Sequence, residues 1–80
     1  MVFKRGYITR SQNRVLKFVK EYIKKNKIPP SLNDISEGLG FIGNTAAADH
    51  LIILEREGYL TRIPKVNRGL VLIEKKVNIK

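Results

Sequence analysis

The amino-acid sequence predicts an α+β domain in which three helices are followed by a β-hairpin. Apolar residues recur at helical spacing in three successive segments, and capping residues, prolines or glycines bound each segment. Two short β-branched segments follow, on either side of a turn rich in Pro, Asn and Gly. A chain of 80 residues fits one domain, and we expect its core at residues 8–73, with tails at 1–7 and 74–80.

The first helix is predicted over residues 10–26. Thr9 and Gln12 fit a capping box at its start, because the threonine side chain can accept from the amide three residues on while the glutamine reaches back. One apolar stripe follows, formed by Val15, Leu16, Phe18, Val19, Tyr22 and Ile23. The pair Pro29-Pro30 then ends the helical pattern, since proline offers no amide donor and restricts the residue before it.

The second helix is shorter and is predicted over residues 32–39. Ser31 suits its N-cap, with Asp34 at the third helical position completing a second capping box. A short apolar stripe consists of Leu32, Ile35 and Leu39. Gly40 follows and can adopt the positive φ that ends a helix.

The third helix is predicted over residues 45–57, with Asn44 or Thr45 as its cap and Gly58 at its end. Its inward-facing residues are Ala47, Leu51 and Leu54. We expect His50 beside them as a half-buried residue of the core, because a lone histidine cannot build a metal site.

The hairpin is predicted from two strands, at residues 59–63 and 70–73, joined by a turn at 64–69. Two helices joined by a short glycine-containing turn form a helix-turn-helix, in which the second helix contacts bases in the major groove. A basic hairpin directly afterwards makes a wing. The predicted fold is therefore a winged helix-turn-helix.

Charge is concentrated in two segments of the sequence. The chain carries 16 Lys and Arg against 7 Asp and Glu, a net charge of +9. Residues 1–28 carry +8, residues 29–58 carry −4 and residues 59–80 carry +5. The excess indicates a polyanionic partner, most simply nucleic acid, and the pattern favours flanks that hold phosphates around a more selective centre. A lysine-rich surface that serves only solubility is the alternative.

Other classes of function have little support in the sequence. Cysteine is absent, which excludes disulfides and cysteine-ligated zinc. No nucleophile–base pair, carboxylate pair or phosphate loop indicates an enzyme, and nothing indicates a cofactor or small-molecule ligand. No apolar run approaches a membrane span, and residues 1–7 lack the apolar stretch of a signal peptide, so we expect a cytoplasmic protein.

Several segments together resemble the DNA-binding domain of LexA-type repressors. The resemblance covers about residues 8–73 and rests on Ile8-Thr9-Arg10-Ser11-Gln12, Ile28-Pro29-Pro30-Ser31, Ile35-Ser36-Glu37-Gly38-Leu39-Gly40-Phe41, Ala46-Ala47, His50-Leu51 and Arg68-Gly69-Leu70. It implies a winged helix-turn-helix that binds operator DNA and represses transcription.

The sequence departs from that family pattern in three ways. The family's self-cleaving peptidase domain lies outside these 80 residues, so we expect no autoproteolysis. The family's dimer contacts lie mainly in that domain, so a dimer has to form differently. The start of the third helix lacks the family's serine, proline and glutamate, so we expect a different operator; the residues here are Gly43, Asn44, Thr45, Ala48 and Asp49.

Residues predicted to contact bases lie on the third helix: Asn44, Thr45, Ala46, Ala48, Asp49 and Ile52. An aspartate can accept from the amino group of cytosine, while small or apolar side chains can touch a thymine methyl. Each also has a plainer explanation. Asn44 and Thr45 can be capping residues, the alanines favour a helix, and Asp49 suits its first turns. Ile52 can instead meet a partner chain.

Residues predicted to contact the DNA backbone come from three elements: Arg10, Ser11, Arg14, Arg56, Lys65 and Arg68. The first three open the first helix, Arg56 ends the third, and the last two lie in the wing. About six such contacts give a log–log salt slope near −5. Taken singly, each charge can equally be a solvated one.

We expect a homodimer on a palindromic double-stranded site, because a domain this small gains affinity from a second half-site. The competing function is a winged-helix module that binds other proteins in a replication or transcription assembly. The adjacent Ile52 and Ile53 give that alternative some support.

Overall fold

A computed structural model describes residues 7–73 and 78–79. Its elements, in chain order, are β1 (Tyr7–Ile8), α1 (Arg10–Asn26), α2 (Leu32–Leu39), α3 (Thr45–Arg56), β2 (Leu60–Arg62), β3 (Leu70–Leu72) and β4 (Asn78–Ile79). The predicted fold class is confirmed: three helices and an antiparallel hairpin form a winged helix-turn-helix. The predicted bounds of α1 and α2 are also confirmed.

Both predicted capping boxes form. At the start of α1, the Gln12 amide donates to the Thr9 hydroxyl at 3.2 Å, and the Thr9 amide donates to the Gln12 side chain at 2.8 Å. Ser31 and Asp34 exchange the equivalent bonds at 3.1 and 3.0 Å. These bonds satisfy amides that a helix leaves unpaired, which explains why α1 and α2 begin where the sequence predicts.

The two helices end on left-handed residues. Lys27 has φ 65° and donates its amide to the Ile23 carbonyl at 2.8 Å, so α1 ends before the proline pair. Gly40 has φ 74°, and the next amide, of Phe41, donates to the Ser36 carbonyl at 2.8 Å. The resulting turns are tight, and they fix the angles at which α2 leaves α1 and α3 leaves α2.

One apolar core joins the helices to the hairpin. Its buried residues are Ile8, Val15, Leu16, Val19, Ile35, Ala47, Leu51, Leu54, Tyr59, Leu60 and Leu70. The three that α3 contributes are those predicted to face inward. Because α3 packs its inner side against α1 and α2, its opposite side is left at the surface.

The hairpin pairs β2 with β3 in antiparallel register, Leu60 opposite Leu72 and Arg62 opposite Leu70. It is shorter than the predicted strands. The Tyr59 amide donates to the Leu54 carbonyl at 2.9 Å, so the backbone of Tyr59 still closes the turn that follows α3. The Tyr59 carbonyl nevertheless accepts from the Ile73 amide at 2.9 Å.

The sequence placed Tyr7 and Asn78–Ile79 in tails, whereas the structure pairs them. Tyr7 lies opposite Asn78 and Ile8 opposite Ile79, in a two-residue parallel ladder. Ladders this short carry no periodicity that a sequence pattern could detect. The other residues that were assigned to tails, at 1–6, 74–77 and 80, lie outside the described part of the chain.

Candidate nucleic-acid interface

The outward face of α3 presents one acidic and one basic side chain among small or apolar ones. Successive residues of a helix are rotated by about 100°. Thr45, Ala48, Asp49, Ile52 and Arg56 therefore share one side, opposite the buried core residues of the same helix. The structure thus brings together four of the six predicted base-contacting residues, with Arg56 at the far end.

Asn44 adjoins this face at the start of the helix. It occupies the N-cap position with φ −100° and ψ −4°, and its side chain makes no capping hydrogen bond. The Asn44 side chain therefore accepts from none of the amides of the first turn, and the exposed Thr45 lies beside these amides. Unpaired amides at a helix N-terminus favour anions such as phosphate. Capping therefore does not explain the Asn44 side chain, and both residues are available to a ligand.

Ala46 lies apart from the other predicted base-contacting residues. It is rotated about 100° from Thr45 around the helix, and it is half-buried. Ala48 is also half-buried, but it lies on the same side of the helix as Thr45. A small side chain there lets a partner approach the backbone closely.

Ile52 and Asp49 are the distinctive side chains of the face. Ile52 keeps 47% of its surface exposed, so the helical phase predicted from the sequence is confirmed at this position. Asp49 is exposed, and within residues 7–73 and 78–79 its carboxylate has neither a hydrogen bond nor an ion pair. An apolar side chain and an unpaired acceptor on one surface are groups that can distinguish base edges.

The predicted backbone-contacting residues other than Arg68 are exposed on α1, at the end of α3 and in the wing. Arg10 and Ser11 are exposed at the start of α1, and the Arg14 guanidinium donates to the Leu39 carbonyl at 3.4 Å. Arg56 keeps 66% of its side chain exposed while contacting Glu57 at 3.3 Å. Lys65 lies exposed at the wing tip, in a turn where its φ is 65°.

Arg68 occupies a different position from the one expected of a wing-tip residue. Its Nη1 lies 2.8 Å from Asp34 Oδ2, 3.0 Å from the Pro29 carbonyl and 3.3 Å from the Tyr22 hydroxyl. Its guanidinium therefore reaches the joint between α1 and α2 rather than the solvent beyond the wing. That Arg68 contacts DNA stays a prediction, and its Nη1 is already occupied by acceptors of the chain itself.

Hydrogen bonds at that joint hold Asp34 in its charged form. The Ser31 amide, the Tyr22 hydroxyl and Arg68 all donate to its carboxylate, and together they lower the pKa of Asp34 to about 2. Burial opposes this shift but is outweighed. The joint therefore carries a permanent negative charge that faces the wing arginine at neutral pH.

Comparison with known proteins agrees with this geometry. Residues 6–69 match the family model of the LexA DNA binding domain. The chain belongs to the LexA DNA-binding domain family. The matched segment begins just before β1 and ends at Gly69, directly before β3, so it includes all three helices and the whole α3 face.

Individual LexA repressors are similar to most of the chain. That of Petrotoga mobilis is 43% identical over 68 residues, which is 85% of this chain and 33% of that protein. That of Thermosipho melanesiensis is 38% identical over 72 residues, or 90% of this chain and 36% of that protein. That of Geobacter metallireducens is 38% identical over 66 residues. The chain spans about a third of the length of these relatives.

Sequence reasoning missed several features of this LexA-family domain. Arg62 donates from its amide and its Nε to the Glu55 carboxylate at 3.1 and 3.2 Å, which ties β2 to α3 and lowers the pKa of Glu55. Ile42, in the turn before α3, is fully exposed. The wing also exposes apolar residues at Ile63, Val66, Val71 and Ile73. Only their tertiary setting distinguishes these apolar residues from core residues.

The remaining predictions concern His50, metals and membranes. His50 is half-buried as expected, stacked on Phe41 with ring centroids 5.7 Å apart, and its Nδ1 is buried without a hydrogen bond. In the described part of this LexA-family chain, no cluster of three His, Asp or Glu residues could hold a metal ion. None of the described helices is long and apolar enough to cross a membrane.

Proposed function

We propose that this chain is a sequence-specific, double-stranded-DNA-binding transcriptional repressor. The observation that carries the proposal is the exposed outer face of α3, with Asp49 and Ile52 on it, together with exposed cationic side chains on α1, at the end of α3 and in the wing. A helix of this kind fits the major groove, and the flanking charges are where the phosphates of both groove walls pass. Membership of the LexA DNA-binding domain family supports the same function.

The base contacts belong to the α3 face. Asp49 accepts from the amino group of a cytosine, and Ile52 packs against a thymine methyl. Ala48 allows the close approach that both contacts need. Asn44 and Thr45 reach a phosphate or a base edge at the N-terminal end of the helix, and Ala46, on the flank, contributes least.

The backbone contacts come from five exposed side chains: Arg10, Ser11, Arg14, Arg56 and Lys65. They position the helix but carry no sequence information. Four of the five are cations, and they also supply most of the affinity for any duplex, because they release counterions from the phosphates.

Two chains bind one site as a homodimer, each on one half of a palindromic sequence. A single α3 contacts too few bases to select a site in a genome, and a second half-site raises the effective concentration of the pair. No cofactor enters this proposal. The protein acts in the cytoplasm of a prokaryotic cell, or of the host cell if it is encoded by a virus or plasmid.

A protein–protein interaction module is the second candidate function. It is favoured by the exposed apolar residues of the wing, which adjoin a cleft of ≈ 450 Å³ between the hairpin and the helices. Leu32, Leu51, Val66 and Leu70 contribute to the lining of that cleft. Apolar patches next to clefts are typical of protein contacts.

A gel shift with random duplex DNA and a salt titration separates the two functions. The repressor function predicts binding at low salt that weakens steeply as salt is raised. Lys65→Gln should weaken binding, whereas the charge-matched control Lys24→Gln, at the far end of α1, should not. A chain that binds no duplex at low salt contradicts the proposal and leaves the interaction module.

A further inference from the structure

Arg68 connects the wing to two helices through a single nitrogen atom. Its Nη1 contacts Asp34 of α2, the hydroxyl of Tyr22 on α1 and the carbonyl of Pro29 in the turn between them. These partners precede Arg68 by 34, 46 and 39 residues. Because Nη1 carries two hydrogens, its three acceptors share them, and the guanidinium is held from several directions.

The acceptor site for this guanidinium is built by the helices themselves. Asp34 Oδ2 also accepts from the Ser31 amide at 3.0 Å and from the Tyr22 hydroxyl at 3.1 Å. The Tyr22 ring is in turn packed near Phe18, with ring centroids 6.0 Å apart. The carboxylate is therefore oriented by α1 and α2, and Arg68 meets a fixed partner rather than a mobile one.

The position of the wing tip depends on that of Arg68 because the backbone of the neighbouring Gly69 packs closely against the turn. The Gly69 carbonyl accepts from the Ile63 amide at 2.7 Å, and a Cβ on Gly69 would lie 2.8 Å from the Ile63 carbonyl and 3.0 Å from Val66 Cβ. Because Gly69 has no side chain, the turn that carries Lys65 can pack directly against the backbone next to Arg68. On the other strand, Arg62 is bound to Glu55 of α3. The hairpin is thus attached to α2 on one side and to α3 on the other.

We propose that Arg68 is a positioning residue that fixes the orientation of the wing relative to α3, so that the wing tip and the α3 face meet one duplex together. This inference rests on the proposed function, because it assumes that the wing contacts DNA. It assigns to Arg68 a role other than phosphate neutralisation. Arg68 keeps 38% of its side chain exposed, against 66% for Arg56 beside Glu57, and its Nη1 is already held by three acceptors of the chain, so it is less available to replace a counterion.

The first arm of the test measures mobility without DNA. Backbone amide relaxation of residues 65–67 is compared in the wild type, Arg68→Gln, Tyr22→Phe and Lys65→Gln. We expect Arg68→Gln and Tyr22→Phe to lower the order parameters of the turn, while Lys65→Gln leaves them unchanged. Ser31→Ala is the matched control for α2 stability, since it removes a capping bond and leaves the partners of Arg68 in place. Unfolding curves confirm that each variant is folded.

The second arm measures duplex affinity against salt. If the released wing spends about a tenth of the time in the binding orientation, Arg68→Gln binds about tenfold more weakly, with an unchanged salt slope. Tyr22→Phe should weaken binding in the same way, although the tyrosine carries no charge. Lys65→Gln should reduce the slope by about 0.9.

Two results would overturn the inference. One is an Arg68→Gln slope reduced by about 0.9 with unchanged wing mobility, which is the behaviour of a phosphate contact. The other is a mobile wing in Arg68→Gln that binds as tightly as the wild type. A wild-type chain that binds no duplex overturns the proposed function instead, and the relaxation measurement then still decides whether Arg68 fixes the wing.

Discussion

At the scale of single residues, the structure separates the exposed side chains of α3 from those that form the core. Thr45, Asp49 and Ile52 are exposed on α3, whereas its buried side chains form the core. The sequence predicted this division because helical periodicity is a local property. The sequence prediction also included Ala46 among the base-contacting residues, although the same periodicity puts Ala46 about 100° from Thr45, on the flank of the face.

The clearest test of a base contact is Asp49→Asn, which keeps the size of the side chain but replaces one acceptor oxygen with a donor. We expect a changed preference at one base pair of the half-site, with about 1–3 kcal/mol of discrimination against the original base. Competition between duplexes that differ at that pair measures it. The exposed Glu37→Gln, on α2, serves as a control. Equal losses on all duplexes would show that Asp49 does not contact a base.

Gly38 is a residue whose importance lies in packing. A Cβ at this position would overlap the ring of Phe18, because α1 and α2 approach closely there. Gly38→Ala should therefore destabilise the chain by about 1–3 kcal/mol, despite the better helix propensity of alanine. Urea denaturation measures the change. Phe18→Leu should restore part of the loss in the double variant, and a Gly38→Ala chain as stable as the wild type would contradict the packing argument.

At the scale of elements, the helix bounds could be predicted and the attachment of the wing could not. Capping boxes and left-handed glycines act within four residues, so the sequence shows where α1 and α2 begin and where α2 ends. The Arg68–Asp34 contact joins residues 34 positions apart, and no short pattern encodes it. For the same reason the sequence could place Arg68 on the hairpin but not determine where its side chain points.

The ion pair between Asp34 of α2 and Arg68 of the wing makes the stability of the fold depend on pH in a definite direction. The pKa of Asp34 in the folded chain, about 2, lies below its ordinary value, so the stabilisation is present above that ordinary value and is lost as pH falls toward 2. We expect the Tm of the wild type to exceed that of Asp34→Asn at pH 5, and the difference to shrink as pH is lowered to about 2. Calorimetry over this range measures it. A difference that is constant with pH would mean that the charge of Asp34 does not stabilise the fold.

At the scale of the whole molecule, the proposed DNA-binding function accounts for the distribution of charge along the sequence. The basic segments predicted at either end of the sequence supply α1 and the wing, while the net acidic centre supplies α2 and α3. If Arg68 is a positioning residue, four cations per chain remain to neutralise phosphates, since Ser11 is uncharged, and the log–log salt slope per chain should be about −3.6 rather than −5. Fluorescence anisotropy with a single half-site duplex measures the slope. A slope near zero would contradict the electrostatic part of the account.

Assembly on DNA is a separate expectation. Sedimentation should show two chains on a palindromic duplex whose half-sites are about 10–10.5 base pairs apart, and tighter binding there than on one half-site. A single chain on the full site, with the affinity of the half-site, would contradict the dimer.

The central claim is that the α3 face selects the sequence while the flanking cations hold any duplex. Selection of bound duplexes from a randomised pool tests it most directly, with the wild type, Asp49→Asn and Lys65→Gln compared in parallel. The account predicts one enriched motif for the wild type, the same motif for Lys65→Gln and a motif altered at one position for Asp49→Asn. No enriched motif for the wild type, or one motif shared by all three chains, would contradict it.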